Sequence, residues 1–281
     1  MNTFFKRTIT GTLFVISTIL LIIINKWTFL SFLIIANLGI SYEFLRFSKK
    51  DNVKPNYIIT IITGTVAIVI TFLHSYYSLN PIYYWLILPL IFLIFIEELF
   101  RKNEKPIQNI AISTLTLIYI STPLILSFLL VYSKLFATET DSSFNPGILL
   151  GILVLIWIYD SLAYCCGTLF GRHGKHKLFE RISPKKSWEG TIGGALFTIL
   201  AGYFLNLLFP ILTKTDWLII SIIVIIFGTL GDLIESMFKR SSELKDSGHL
   251  LPGHGGLLDR FDSFIFTVPW VFIYLIFSEY L

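Results

Sequence analysis

Between two long apolar runs, residues Ser236 to Asp262 hold four Asp or Glu, four Lys or Arg and two His. Charge this dense between apolar runs is either a solvated loop or a site for an anion and its metal. Three features favour a site. Asp259 and Asp262, three residues apart at the opening of the last apolar run, share a face if that run is helical. Pro252-Gly253-His254-Gly255-Gly256 is a backbone with few side chains, able to approach a ligand closely. Asp232 and Glu235, near the end of the preceding run, add carboxylates from the other side.

With Ser236 and Lys239, these last two occupy i, i+3, i+4 and i+7, one stripe of a helix. Asp232 precedes Lys239 by seven residues, about 10 Å of helix rise, which places its carboxylate below the membrane interface and in need of a partner. Carboxylates facing one another across a hairpin point to a hard cation, and Mg²⁺ with substrate phosphates completing its shell is the usual arrangement. The competing arrangement is a salt-bridged hairpin using Lys239, Arg240, Lys245 and Arg260. His254, flanked by glycines, is free to reach a ligand. His173, His176 and His249 read as ordinary loop residues, and no zinc pattern of Cys and His is present.

A second polar stretch runs from Gly167 to Gly190. It carries Arg172, Lys175, Lys177, Arg181, Lys185 and Lys186, with four glycines and two histidines. Topology charge beside anionic lipid headgroups would account for the lysines and arginines alone. Ser183-Pro184 adds the pattern of a helix N-cap followed by Pro at N1, and a helix start beside paired lysines suits a phosphate. Gly190 and Gly194 form a GxxxG pair that reads as helix packing. Upstream, Asp160 lies inside an apolar run, followed by Ala163, Tyr164 and Gly167 on one face. An intramembrane carboxylate marks a functional hypothesis, with a structural bond between helices as its alternative.

The elements that must position these residues are membrane spans. The chain of 281 residues is 54% hydrophobic and 14% charged, with a mean hydropathy of +0.75, against about 25% charged in soluble domains. An all-α, polytopic membrane protein is predicted. About 20 apolar residues cross a bilayer, which gives nine candidates at roughly 8–24, 28–45, 56–73, 83–99, 108–132, 147–167, 190–211, 217–238 and 261–280. Only Asn25, Lys26 and Trp27 separate the first two. Basic residues gather in alternate loops, which places the N-terminus inside and the C-terminus outside. Lys6 and Arg7 precede an apolar run without a small-residue cleavage site, so that run is taken as the first span. Cys165 and Cys166 are adjacent in an apolar run and imply no disulfide framework. Polar residues concentrate from Asp160 onward. Residues 1–146 therefore read as a transmembrane scaffold, and 147–281 as the catalytic region with its cytoplasmic loops.

The run Ser236-x-Phe238-Lys239-Arg240-x4-Lys245-Asp246-x-Gly248-x2-Leu251-Pro252-x-His254-Gly255-Gly256-Leu257-x-Asp259-Arg260-Phe261-Asp262 resembles the signature of phosphatidate cytidylyltransferases, the CDP-diacylglycerol synthases. The region from Asp160 through Ser183-Pro184-Lys185-Lys186-Ser187-Trp188-Glu189-Gly190 also resembles that family, and the first five spans do so in hydropathy alone. The resemblance implies an enzyme of the inner (plasma) membrane, with its site facing the cytoplasm, that makes CDP-diacylglycerol and pyrophosphate from CTP and phosphatidate. It implies Asp232, Asp259 and Asp262 as metal ligands, with Mg²⁺ and K⁺ as the cations. Lys239, Arg240, Lys245, Asp246, His254 and Arg260 accompany them in the catalytic hairpin. Arg172, Lys175, Ser183, Lys185 and Lys186 are the candidates for holding the nucleotide.

A phosphate monoester is already an anionic nucleophile, so no covalent enzyme intermediate is needed. Its difficulty is approaching a second polyanion, which cations and basic side chains ease. Expected partners are CTP, phosphatidate, the lipid bilayer and a second copy in a homodimer, with no nucleic acid. Two other classes stay open. A CTP-dependent lipid kinase, or a cytidylyltransferase acting on another lipid, could share part of the motif. An ion-coupled transporter would also carry intramembrane carboxylates, but it would show the inverted repeats and interrupted helices that are missing here.

Overall fold

The computed structural model describes residues 3–47, 52–132, 144–171, 176–244, 247–248 and 255–278, with side chains of the first helix described from Ile9 onward. Helices fill all nine predicted spans: α1 (Thr3–Ile23), α2 (Lys26–Arg46), α3 (Tyr57–Tyr77), α4 (Pro81–Phe100), α5 (Pro106–Val131), α6 (Gly147–Phe170), α7 (Trp188–Leu208), α8 (Lys214–Ser241) and α9 (Leu258–Phe277). Among the described residues, eight are long and apolar enough to cross a membrane, and α1 adds the shorter apolar stretch Ile9–Ile23. The chain is an all-α polytopic membrane protein. Its described strands are β1 (Lys177–Phe179) and β2 (Ser183–Ser187), paired antiparallel with Lys177 opposite Ser187 and Phe179 opposite Ser183.

Contacts divide the chain into two units. One comprises Met1–Tyr132 with Ser241–Phe261, the other Ser133–Arg240 with Asp262–Leu281. The segment leading into α9 thus groups with the N-terminal helices, a long-range association that a boundary at residue 146 does not contain.

In the first unit, the narrow break between α1 and α2 is held by a capping box. Asn25 Oδ1 accepts from the Trp27 and Thr28 amides at 2.8 and 3.0 Å, while Thr28 Oγ1 accepts from the Asn25 amide at 3.2 Å. Asn56 caps α3 through the Ile59 amide. Pro81 and Pro106 stand in the first turns of α4 and α5, where the missing N–H costs nothing. A π turn at Leu117–Ser121 precedes Pro123 in α5, the kind of local widening that accommodates a proline within a helix. Helices in lipid associate through packing and hydrogen bonds rather than through a hydrophobic drive, and this unit uses both. Buried Phe29 and Phe128 stack, and Phe72 meets Phe128 edge to face. Buried Asn37 accepts from Ser121 Oγ at 2.8 Å and donates to Thr65 Oγ1 at 3.2 Å.

In the second unit, α6 and α7 meet at the predicted GxxxG pair. A Cβ on Gly190 would lie 2.6 Å from the Ala163 carbonyl oxygen, and one on Gly194 2.9 Å from the Ala163 Cβ. Only bare backbone allows this approach. Thr213 and Asp216 form a capping box that starts α8, and Tyr274 of α9 donates to Asp216 Oδ1 at 2.7 Å. Halfway along, α8 opens into a π turn at Val224–Gly228 before resuming at Thr229.

Candidate active site

The carboxylates gather where α8 and α9 touch. Gly231 makes this possible: a Cβ there would meet the Asp262 carbonyl oxygen and the Phe266 Cβ, each at 2.7 Å. One turn earlier, the Gly228 carbonyl accepts from Ser263 Oγ at 3.2 Å. Drawn together in this way, Asp232, Glu235 and Asp262 each offer a carboxylate oxygen, and the three oxygens lie within 4.8 Å of one another. Glu235 is wholly buried, whereas the other two are half-buried.

Two ammonium groups balance this charge in part. Lys239 pairs with Glu235 one turn along α8, and Lys186 Nζ lies 2.5 Å from Asp232 Oδ2. Asp232 Oδ1 also accepts from Ser236 Oγ at 3.3 Å, and Asp262 Oδ1 from the Ser263 amide at 2.6 Å. Among the described residues, three carboxylates of this group stand beside two ammonium groups. A small set of hard oxygen donors at this separation fits a divalent cation such as Mg²⁺, which takes few protein ligands and leaves room for phosphate oxygens. The residues fit the metal.

A cavity of about 620 Å³ adjoins this cluster, with Asp232 in its wall. Lys177, Lys185 and Lys186 line it from the hairpin, and Asp160 and Tyr164 from α6. The phenol of Tyr159 and Thr229 Oγ1, both lining it, are hydrogen-bonded at 2.6 Å. Its size lies within the 300–1,000 Å³ usual for ligand sites. The hairpin is anchored at the start of α7, where the Trp188 amide donates to the His176 carbonyl at 3.0 Å and His176 Nδ1 lies 2.8 Å from Glu189 Oε1.

Several expectations change here. The helix predicted to begin at Ser183-Pro184 begins instead at Trp188, with Ser187 as its cap accepting from the Gly190 amide. Pairing with Lys177–Phe179 holds Ser183–Ser187 extended, so cross-strand hydrogen bonds override the local cap pattern. Lys185 and Lys186 reach the cavity from a strand, and Ser183 opens that strand half-buried.

Asp259 has its described partners in the first unit. Its Oδ2 accepts from the Ser247 amide at 3.0 Å, Ser247 Oγ at 2.8 Å and the Gly256 amide at 2.7 Å, all within the first unit. Glu235, placed on the stripe but not among the predicted ligands, takes the third position. Arg240 and Arg260 are exposed. Arg172, Lys175, Lys245, Asp246 and His254 lie outside the described residues. The sequence reading did not single out the Tyr159–Thr229 pair or Glu43, a buried carboxylate of α2.

The chain matches the Cytidylyltransferase family over residues 5–278. It belongs to that family. Two relatives named phosphatidate cytidylyltransferase, from Staphylococcus epidermidis and Staphylococcus saprophyticus, are 39% identical to it over 187 residues, 66% of this chain and 66% of theirs. A third of that name, from Staphylococcus aureus, is 38% identical over the same shares. The chain therefore spans about two thirds of the length of the curated relatives it matches. Cytidylyltransferases are nucleotidyl-transferring enzymes, and the cavity with its lysines and adjoining carboxylates has the chemistry that such a family needs.

Proposed function

We propose that this chain transfers CMP from CTP to phosphatidate, giving CDP-diacylglycerol and pyrophosphate. The observation that carries the reading is the position of Asp232, which belongs both to the carboxylate cluster and to the wall of the lysine-lined cavity. Nucleotide phosphates in that cavity would stand beside the cation-holding group. The names of the Staphylococcus relatives supply the lipid substrate. Exposed Leu169 and Phe170 end α6 next to the cavity-lining Thr168 and offer an apolar rim for acyl chains. The basic loops of the sequence favour a cytoplasmic position for this site, and the bacterial relatives favour the plasma membrane.

In this reading, Asp232, Glu235 and Asp262 hold a divalent cation. When bound, that cation supplies charge neutralisation between the two substrates and at the departing pyrophosphate. Lys185 and Lys186 bind and orient the triphosphate. Tyr159 and Thr229 hold the cavity wall together from α6 and α8. A phosphatidate oxygen forms a bond to the α-phosphorus of CTP while the bond from that phosphorus to the β-phosphate bridging oxygen breaks, and the electron pair leaves on pyrophosphate. The nucleophile is already anionic, so no side chain needs to take a proton from it.

Purified protein in nanodiscs, given labelled CTP and phosphatidate with Mg²⁺, should release pyrophosphate and CDP-diacylglycerol in equal amounts. Release of CDP with phosphorylated lipid would replace this reading with a lipid kinase. Turnover only with a different lipid acceptor would move the substrate assignment.

A further inference from the structure

We propose that Glu43 of α2 is a positioning residue for the reaction, holding the start of α9 to Ser247. The inference deepens the proposed transfer activity and rests on it for its kinetic arm. Glu43 is 3% exposed. Its Oε2 accepts from the Leu258 amide at 2.8 Å and from Ser247 Oγ at 3.1 Å. Leu258 opens α9, and the first amides of a helix have no partner within it. A carboxylate placed there satisfies one of them and is favoured by the positive end of the helix dipole. Glu43 thus caps a helix that lies 215 positions away along the chain.

Asp259 completes the arrangement. The Ser247 hydroxyl lies within hydrogen-bonding distance of both carboxylates, at 2.8 Å from Asp259 and 3.1 Å from Glu43. It has one proton, so Asp259 and Glu43 share it. The two acids hold Ser247 on one side, and Gly256 and Leu258 on the other. The glycines fit this arrangement closely. A Cβ on Gly248 would stand 2.4 Å from Glu43 Oε1, and one on Gly256 would stand 1.9 Å from Ser247 Oγ and 2.4 Å from Glu43 Oε2. Each acceptor bond to a charged group contributes more than a neutral one. A buried carboxylate that lost them would be left without compensation.

The consequence reaches the chemistry through the helix itself. Asp262 stands four residues beyond Leu258 in the same unbroken helix, so a shift in its first turn is carried to that carboxylate. A displacement of about 1 Å at a reacting centre can cost roughly 10²-fold in rate.

The test uses the full-length protein in nanodiscs and two variants, Glu43→Gln and Ser247→Ala. Hydrogen–deuterium exchange at the Leu258 amide, measured without substrates, should speed up in Glu43→Gln. Its kcat should fall by about 10²-fold while the KM values for CTP and phosphatidate stay within about threefold. Ser247→Ala should lower kcat in the same sense, and the double variant should be no worse than Glu43→Gln alone, because both act through one network. Unchanged exchange at Leu258 in Glu43→Gln overturns the cap. Faster exchange with wild-type kcat overturns the positioning role, and so do additive losses in the double variant. If Glu43→Gln does not fold, Ser247→Ala read by the same exchange and kinetics decides. A wild-type protein without cytidylyl transfer refutes the proposed activity, while the exchange result still judges the cap.

Discussion

Lys186 Nζ lies 2.5 Å from Asp232 Oδ2, so the hairpin strand β2 and helix α8 are joined by charge at the edge of the cavity. That ammonium faces two demands. It neutralises a carboxylate of the proposed cation site, and it lines the space in which a triphosphate would lie. Lys186→Met should therefore act with opposite signs. The KM for CTP should rise at least about tenfold, as expected for a lost charged contact, with the KM for phosphatidate little changed. In the absence of nucleotide, Mg²⁺ should bind more tightly, because a competing positive charge is gone. Isothermal titration in nanodiscs checks both. Equal increases in the two KM values would assign the lysine to the membrane surface instead.

The two aspartates that open α9 should separate cleanly on mutation. Asp262→Asn, like Asp232→Asn, should lower turnover by about 10²–10³-fold and weaken Mg²⁺ binding while the protein stays folded in detergent. Asp259→Asn should weaken Mg²⁺ binding far less than Asp262→Asn does, since its carboxylate serves Ser247 and Gly256 and reaches the cation site only through the helix. Chelating divalent cations should abolish wild-type turnover, and added Mg²⁺ should restore it. Loss of Mg²⁺ binding in Asp259→Asn would return that residue to the ligand set.

Two glycines one turn apart make a matched pair. A Cβ on Gly231 would press on the Asp262 carbonyl oxygen at 2.7 Å, whereas one on Gly228 would find only ordinary contacts at 3.6–4.0 Å. Gly231→Ala should destabilise the protein by about 1–3 kcal/mol through overpacking and weaken Mg²⁺ binding as α9 is pushed away. Gly228→Ala should be close to neutral in both. Thermal unfolding and metal titration of the pair decide the matter, and equal behaviour would refute the close-contact account.

At the other end of the same helices, Tyr274 donates to Asp216, which also caps the start of α8. Tyr274→Phe should lower stability by about 1–3 kcal/mol, the cost of leaving a buried acceptor less well satisfied, and should leave kcat within about twofold. A large loss of kcat would mean that this pair also acts on the site.

Most of the architecture was legible because lipid leaves so few choices: among the described residues, each predicted apolar stretch is helical, eight of them long enough to cross a membrane. The GxxxG pair could likewise be assigned to helix packing from its spacing. Three parts were not legible, each for a different reason. Ser183-Pro184 has the chemistry of a helix start, but its strand partner at Lys177–Phe179 decides its conformation, and a local pattern does not include that partner. Spacing places Asp259 and Asp262 on one helical face, yet Asp259 sits in the first turn, where the incoming loop offers amides and claims it. Glu43 stands in a span that otherwise reads as scaffold, and its partners lie more than 200 residues away. No periodicity encodes such a pairing.

The π turn at Val224–Gly228 gives α8 two rotational phases. One additional residue taken into a turn leaves everything after it about 100° behind where an uninterrupted helix would place it. Upstream, the phase presents Trp217 and Ser221 for burial; downstream, it presents Asp232 and Glu235. Closing the turn to a regular α-helix with every residue kept would leave length, hydropathy and the number of spans untouched while swinging both carboxylates off their face. The cation-holding group therefore depends on an offset in phase that belongs to no single side chain.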